Sequence, residues 1–370
     1  MKIIHCADLH LDSKLRTHLS KIQAKERRIE LLQTFSRMVA YAQEQNVRAI
    51  IIAGDMFDTK LVSATARNSV IKTVTDHPEI DFYYLKGNHD ADGFLSALEE
   101  IPDNMKLFDN DWISCPVEPD GRSPVVITGV ELNAGNENII YNSLVLAHDK
   151  FNIVVLHGQE SNYRTGDKTE CVNLGALRSK GIDYLALGHI HTYKCAELDK
   201  RGVYCYSGCL EGRGFDECGE CGFVLLDIDE ERKTLESRFI PFAARNLYLV
   251  PVNISECMTS AEIACRIDDV LKSADYHEKS LVRVVLTGDV DVECEKNLEY
   301  LLRQFGADYY LFEIKDKTKL AVDYNSFALD QSLKGEFVRT VNASQLDDDT
   351  KAEVIRCGIR ALAGEEMELG

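Results

Sequence analysis

Five short apolar runs in this chain each stop on residues that bind metals, and this repetition limits the possible folds more than any other feature. Lys2–Ala7 leads into Asp8-Leu9-His10-Leu11-Asp12-Ser13. Val47–Ala53 ends in Gly54-Asp55-Met56-Phe57-Asp58, and Phe82–Leu85 in Lys86-Gly87-Asn88-His89-Asp90. Asn152–Leu156 is followed by His157-Gly158, and Ile182–Leu187 by Gly188-His189-Ile190-His191. Apolar, β-branched-rich runs of about 4–8 residues read as buried strands. In an open α/β fold, residues just past the carboxyl ends of such strands gather in one crevice. The series therefore points to an α/β fold in which these motifs meet. Five of the ten histidines lie in them.

Between the runs the spacing predicts one long amphipathic helix over Ser20–Gln45, with Ile22, Ile29, Leu32, Phe35, Met38, Val39 and Ala42 at helical intervals. A second helix is expected over Ala64–Thr75, stopped near His77-Pro78. Val125–Val130 reads as a strand with no ligand at its end, Gln159–Thr169 as a polar loop, and Asn173–Ser179 as a short helix. Val203–Tyr206 and Phe223–Asp229 are expected as strands of an antiparallel edge.

From about Arg245 the pattern changes to β-α-β-α-β, over Leu247–Val252, Ser260–Ser273, Leu281–Leu286, Glu295–Phe305 and Tyr309–Ile314. It resembles a split β-α-β unit. Helical stretches follow over Phe327–Val341 and Asp349–Leu362. The expected domains are 1–244 for the catalytic part, 245–320 for an α+β cap and 321–370 for a helical segment.

The donor set holds imidazole, carboxylate and amide oxygen without thiolate. That suits Mn²⁺, Fe²⁺ or Zn²⁺. Asp8, His10, Asp55, Asn88, His157, His189 and His191 are too many ligands for one ion and fit two ions sharing a bridge. Two carboxylates leave such a pair with positive charge for a phosphate. Two metals roughly 3.5–4 Å apart can clamp both the attacking and the leaving oxygen of an in-line displacement.

Charge narrows the function. At −19 the chain does not suit a simple polyanion-binding module, which would carry a basic excess, but an enzyme that brings its own dications escapes that objection. No apolar run approaches 18 residues and no cleavable signal fits the start, so a cytoplasmic, non-membrane protein is expected. In that setting the twelve cysteines are expected as reduced thiols. Cys195, Cys205, Cys209, Cys218 and Cys221 cluster, but a structural zinc would need a second pair spaced like Cys218 and Cys221.

The set DxH, GDxxD, GNHD, HG and GHxH resembles the calcineurin-like metallophosphoesterase superfamily over about residues 1–240. The resemblance implies a two-sheet sandwich flanked by helices (α/β/β/α). It implies one metal on Asp8, His10, Asp55 and His191, and a second on Asp55, Asn88, His157 and His189, with Asp55 bridging. By the same likeness His89 is a general acid for the leaving oxygen and Asp58 its orienting carboxylate. Manganese is the expected metal. The order of core, α+β cap and helical tail further resembles the nuclease subunit of the SbcCD family, in its bacterial YhaO-like branch. That likeness implies a DNA substrate, an exonuclease or endonuclease role in DNA repair, and a coiled-coil ATPase docked on the C-terminal helices. A homodimer is left open. Archaeal and eukaryotic relatives usually carry histidine where Asp58 stands, so phosphodiester hydrolysis is the firmer part. The rival readings are a phosphoesterase acting on small esters or cyclic nucleotides, and a non-catalytic scaffold.

The remaining candidates are weaker. Asp12 and Asp90 are expected to support or cap. His5, His18, His77, His148 and His277 show no partner pattern and read as structural. Lys14, Arg16, Lys21, Lys25, Arg27 and Arg28 read as a solvated helix face, with a nucleic-acid contact as the alternative. Tyr163, Arg164 and Arg213 are candidates for touching substrate.

Overall fold

The structure is a computed structural model. It describes residues 1–370 apart from 16–18, 59–60, 91–92, 99, 119–122, 138, 162–170, 275, 293, 323 and 363–370. Arg16, His18, Tyr163 and Arg164, and most of the expected Gln159–Thr169 loop, lie outside the described residues. The chain divides into two compact units, Met1–Asn246 and Leu247–Gly370.

Unit one runs β1 (Lys2–Cys6), α1 (Lys21–Glu44), β2 (Val47–Ala53), α2 (Ala64–Thr75), β3 (Asp81–Leu85), β4 (Met105–Leu107), β5 (Ile113–Pro116), β6 (Val125–Gly129) and β7 (Phe151–His157). It continues with β8 (Gln159–Ser161), β9 (Cys171–Asn173), α3 (Leu174–Leu177), β10 (Tyr184–Gly188), β11 (Lys194–Glu197), β12 (Val203–Tyr206), β13 (Gly222–Asp229) and β14 (Thr234–Pro241). Two six-stranded sheets result, ordered β14-β13-β1-β2-β3-β4 and β11-β12-β10-β7-β6-β5. The strands that end on the candidate ligands are parallel neighbours within each sheet: β1, β2 and β3 in one, β7 and β10 in the other.

Alternation along β2 shows why two apolar layers form. Ile50 and Ile52 face α1 and α2, joining Phe35, Met38 and Val70. Ala49, Ile51 and Ala53 face the second sheet, meeting Ile127, Ile153 and Tyr184. A third cluster, with Val154, Leu156, Leu185 and Leu177, covers the far face of that sheet. This is the helix-flanked two-sheet α/β architecture expected from the resemblance.

Two strand readings need correction. Val203–Tyr206 and Phe223–Asp229 do not form one antiparallel edge. β12 lies parallel to β10 in the second sheet, whereas β13 runs antiparallel to β1 in the first. Both strands are apolar, and periodicity alone cannot tell which sheet claims a strand. Arg27 also departs from the solvated-face reading: its side chain is 1% exposed and bonds Glu30, Glu211 and the Gly212 carbonyl. Ile22, counted as apolar-face, is instead 73% exposed.

Unit two contains β15 (Leu247–Asn253), α4 (Ser260–Ala274), β16 (Leu281–Thr287), β17 (Asp289–Asp291), α5 (Leu298–Phe305), β18 (Leu311–Asp316) and β19 (Lys319–Ala321). β15, β16 and β18 form a parallel sheet in that order, so no strand separates the pairs and the unit is not split. α6 (Tyr324–Ala328), α7 (Leu333–Asn342) and α8 (Asp348–Leu362) follow. The helix expected over Phe327–Val341 is broken before Ser332, whose hydroxyl caps α7 by accepting from the Gly335 amide. Phe327, Val338, Val341, Ile355 and Ile359 pack together as a small core of their own.

Candidate metal centre

The strand ends are unusual in backbone as well as in side chain. Asp8, His10, Asp55 and His189 all have positive φ, at 51°, 42°, 52° and 101°. Non-glycine residues rarely hold this conformation, and it costs on the order of 1–3 kcal/mol each unless the surroundings enforce it. The surroundings here are visible. The His10 amide donates to the Asp55 carbonyl at 2.9 Å, and the Asp8 amide to the Gly54 carbonyl at 3.1 Å. Asp8 in turn accepts the His189 amide on both carboxylate oxygens at 3.0 Å. That contact ties the first sheet to the second.

The imidazoles are held in defined tautomers. His157 lies between the sheets with Nδ1 2.9 Å from the Ala53 carbonyl. A carbonyl only accepts, so Nδ1 carries the proton and Nε2 carries a lone pair. Burial pushes His157 down to about 4, so the ring is neutral. Its Nε2 faces Asn88 Oδ1 at 2.9 Å and Asp55 Oδ2 at 3.5 Å.

The same logic holds across the crevice. His191 Nδ1 sits 2.8 Å from Glu217 Oε1, and His10 Nδ1 sits 3.3 Å from Asp58 Oδ1. Glu217 accepts the His191 Nδ1 proton, Asp58 lies beside His10 Nδ1 without completing a hydrogen bond, and the two Nε2 atoms face each other at 3.2 Å. Asp55 Oδ2 is 3.8 Å from His10 Nε2, so this one oxygen lies between the two lone-pair sets. A dication at each set would be held by these ring nitrogens in place of a proton. The donor set therefore fits two metals.

Three groups of potential ligands lie within 4.8 Å of one another among the described residues: Asp8, His10 and His191; Asp8, Asp55 and His157; and His10, Asp58 and His89. Asp8 thus reaches both sets. The third group already has a cation, since Arg213 Nη1 is 2.9 Å from Asp58 Oδ1. Burial drives Asp8 up to about 8, with Asp55 adding to the shift and His191 opposing it, which is the imbalance expected where positive charge is wanted. His189, kept neutral by burial, packs edge-on against His157 with ring centroids 5.4 Å apart. Among the described residues, no group of three within that limit includes a cysteine. Cys209 and Cys221 are buried with sulfurs 3.5 Å apart, and Cys195 and Cys205 are paired across β11 and β12.

The remaining sequence candidates separate clearly. His89 is on the open rim, its side chain 48% exposed, with Nδ1 3.6 Å from Asp58 Oδ1. Asp58 is not its partner alone. Burial raises the Asp58 pKa, but His10, Arg213 and Ser13 outweigh this and hold the carboxyl well below its usual range. Asp90 accepts the Met56, Phe57 and Gly87 amides, fixing the β2 loop to the β3 loop. Asp12 accepts from both the amide and hydroxyl of Ser63, the cap of α2. His5, buried, meets the Tyr184 hydroxyl at 2.9 Å.

Arg213, a candidate for touching substrate, stands as a strut between carboxylates, Asp58 at one end and Glu217, absent from the sequence reading, at the other. Arg213 Nη2 and Nε lie 2.6 and 3.1 Å from Glu217 Oε1. Burial works to raise Glu217, yet His191 and Arg213 hold it down near about 2. A Gly-Arg followed by Glu, between buried cysteines, was the available signal, but nothing in its spacing ties it to a histidine on another loop.

The family model described as calcineurin-like phosphoesterase matches residues 1–193. The DNA double-strand break repair protein Mre11 of Saccharolobus solfataricus is 24% identical, over 99% of this chain and 96% of its own length. The uncharacterized metallophosphoesterase YhaO of Bacillus subtilis is 29% identical, over 62% of this chain and 57% of that protein. A subunit of the nuclease SbcCD from Escherichia coli is 25% identical, over 61% of this chain and 64% of its own. Among solved structures, a Thermus thermophilus protein aligns with a TM-score of 0.41 at 13% identity, covering 64% of this chain and 98% of that one. A dimetal phosphatase from Danio rerio aligns with a TM-score of 0.38 at 12% identity, covering 61% and 91%.

Proposed function

Since the chain belongs to the calcineurin-like phosphoesterase family, we propose that it is a two-metal phosphodiesterase acting on DNA, as the nuclease half of an ATPase-coupled repair complex. The observation that carries the chemistry is Asp55 Oδ2, placed between the His157 lone pair on one side and those of His10 and His191 on the other. The DNA assignment is supported by the alignment to a DNA double-strand break repair protein, which runs through both units and not the first alone.

In this reading Asp8, His10, Asp55 and His191 hold one metal, and Asp55, Asn88, His157 and His189 the other. When bound, the metals supply Lewis acidity and an activated water for attack at phosphorus. The protein's own part is to fix the geometry. The Ala53 carbonyl and Glu217 hold His157 and His191 in the tautomer that presents Nε2. His89, exposed at the rim with Nδ1 toward Asp58, keeps Nε2 for the substrate side and protonates the leaving sugar oxygen. Manganese is the metal we favour. The region from Leu247 serves as the cap, and the helices after residue 320 dock the ATPase; Leu333, at 70% exposure, and Leu346, at 45%, are apolar side chains available there. No described helix is long and apolar enough to cross a membrane.

The deciding experiment compares hydrolysis of defined single- and double-stranded DNA with that of small phosphoesters and cyclic nucleotides under Mn²⁺. Metal-dependent cleavage of DNA is expected. Rapid turnover of the small esters with intact DNA would transfer the site to the small-ester reading.

A further inference from the structure

We infer that Glu217 is a positioning residue for the His191 side of the centre, and that Arg213 braces it against Asp58 so that both facing imidazoles keep Nε2 inward. The inference rests on the reading of His10 and His191 as ligands of one metal. It goes beyond that reading because neither Glu217 nor Arg213 belongs to the ligand motifs.

The contacts form a closed circuit. His191 Nδ1 meets Glu217 Oε1 at 2.8 Å, and that carboxylate takes the Arg213 guanidinium at 2.6 and 3.1 Å. The other face of the guanidinium donates to Asp58 Oδ1 at 2.9 Å. Asp58 stands 3.3 Å from His10 Nδ1, and His10 Nε2 returns to His191 Nε2 at 3.2 Å. Glu217 also takes the Arg213 backbone amide at 2.7 Å, and its side chain is only 3% exposed. A carboxylate so placed cannot swing away to solvent.

The segment carrying the circuit is itself anchored. Cys209 and Cys221 meet at its base, with sulfurs 3.5 Å apart. Buried Arg27, on α1, donates to Glu211 and to the Gly212 carbonyl beside Arg213. A rigid helix thereby fixes the strut, and the strut fixes two rings. A carboxylate behind a ligating imidazole sets its tautomer and raises its basicity, and its loss typically costs about 10–100-fold in metal affinity.

The test uses the full chain, with Mn²⁺ binding measured by calorimetry and bound metal counted after desalting. Histidine ring tautomers are read by ¹⁵N NMR on the metal-free protein. Wild type should bind two metals and show the His191 proton on Nδ1. Glu217→Ala should retain one metal at wild-type affinity, weaken the other roughly 10–100-fold, and lose the fixed tautomer. Glu217→Gln keeps an acceptor for the Nδ1 proton and should recover the tautomer and part of the affinity. The retained metal shows that each variant is folded. Two metals at wild-type affinity in Glu217→Ala, or an unchanged His191 tautomer, overturns the inference. Fewer than two metals in wild type itself would instead strike the two-metal reading on which it rests.

Discussion

His10 and His191 face each other through their Nε2 atoms at 3.2 Å, while each ring turns its Nδ1 toward a different carboxylate. A metal held by these rings binds the folded chain and not the unfolded one, in which the two rings are not brought together. The protein without metal is therefore expected to be less stable than with it. At a free metal concentration about one hundred times Kd, binding contributes about 2.7 kcal/mol. For a domain of this size that amounts to roughly 5–10 °C in Tm. Thermal melts with EDTA and with excess Mn²⁺ measure the difference; coincident curves would count against a metal centre.

His157 depends on the absence of a side chain opposite it. A Cβ on Gly188 would lie 1.9 Å from the Ala53 carbonyl oxygen and 2.8 Å from His157 Nδ1. That carbonyl is the acceptor fixing the ring. Gly188→Ala should destabilise the fold by about 1–3 kcal/mol and weaken metal binding on the His157 side. Urea unfolding and Mn²⁺ titration read the two effects, and wild-type values in both would refute the argument.

His89 lies on the open rim, its side chain 48% exposed. His89→Ala is expected to keep both metals and wild-type stability while phosphodiester cleavage falls by about 10²–10⁴-fold. A metal count together with single-turnover rates checks this. Full activity in the variant would remove the acid role assigned to it.

Buried Arg27 yields a stability prediction with a pH signature. Arg27→Met leaves Glu211, itself 1% exposed, without its charge partner, and breaking such a buried pair costs about 3–5 kcal/mol. Glu30, beside it, feels burial pushing its carboxyl up, but Arg245 and Arg27 outweigh that and hold it below its ordinary 4.5. A depressed carboxyl stabilises the fold above its unfolded pKa, and that contribution fades as pH falls below about 4.5. Urea midpoints from pH 7 down to pH 3 should therefore decline in wild type, and less steeply in Arg27→Met. Parallel declines would rule out the link.

The candidate ligands were legible in the sequence because strand ends are local. An apolar run, a glycine and a histidine appear together, and the fold gathers the carboxyl ends of neighbouring strands without further instruction. α2 and β2 fall where periodicity places them. What escaped the sequence lies in pairings between distant segments. Arg27 reads as surface charge because its burial depends on Glu211, far along the chain. The place of Arg213 between two carboxylates was hidden for the same reason: its partners Asp58 and Glu217 come from two loops. The sheet assignment of β12 and β13 was hidden because both are short apolar strands, alike in pattern and different only in neighbour.

The place of β1 in its sheet has a consequence for how the protein is made. β1 leads directly into Asp8 and His10 and is synthesised well before β13, at Gly222–Asp229, which is one of its two neighbours. Once β2 has emerged, β1 keeps one side open while the intervening chain is synthesised, on the order of 10–30 s at ordinary elongation rates. An open strand edge with apolar faces invites pairing with other chains. The strand that delivers Asp8 and His10 thus waits for a partner that begins about 170 residues beyond the end of β2, from Ala53 to Gly222, before both its edges are paired.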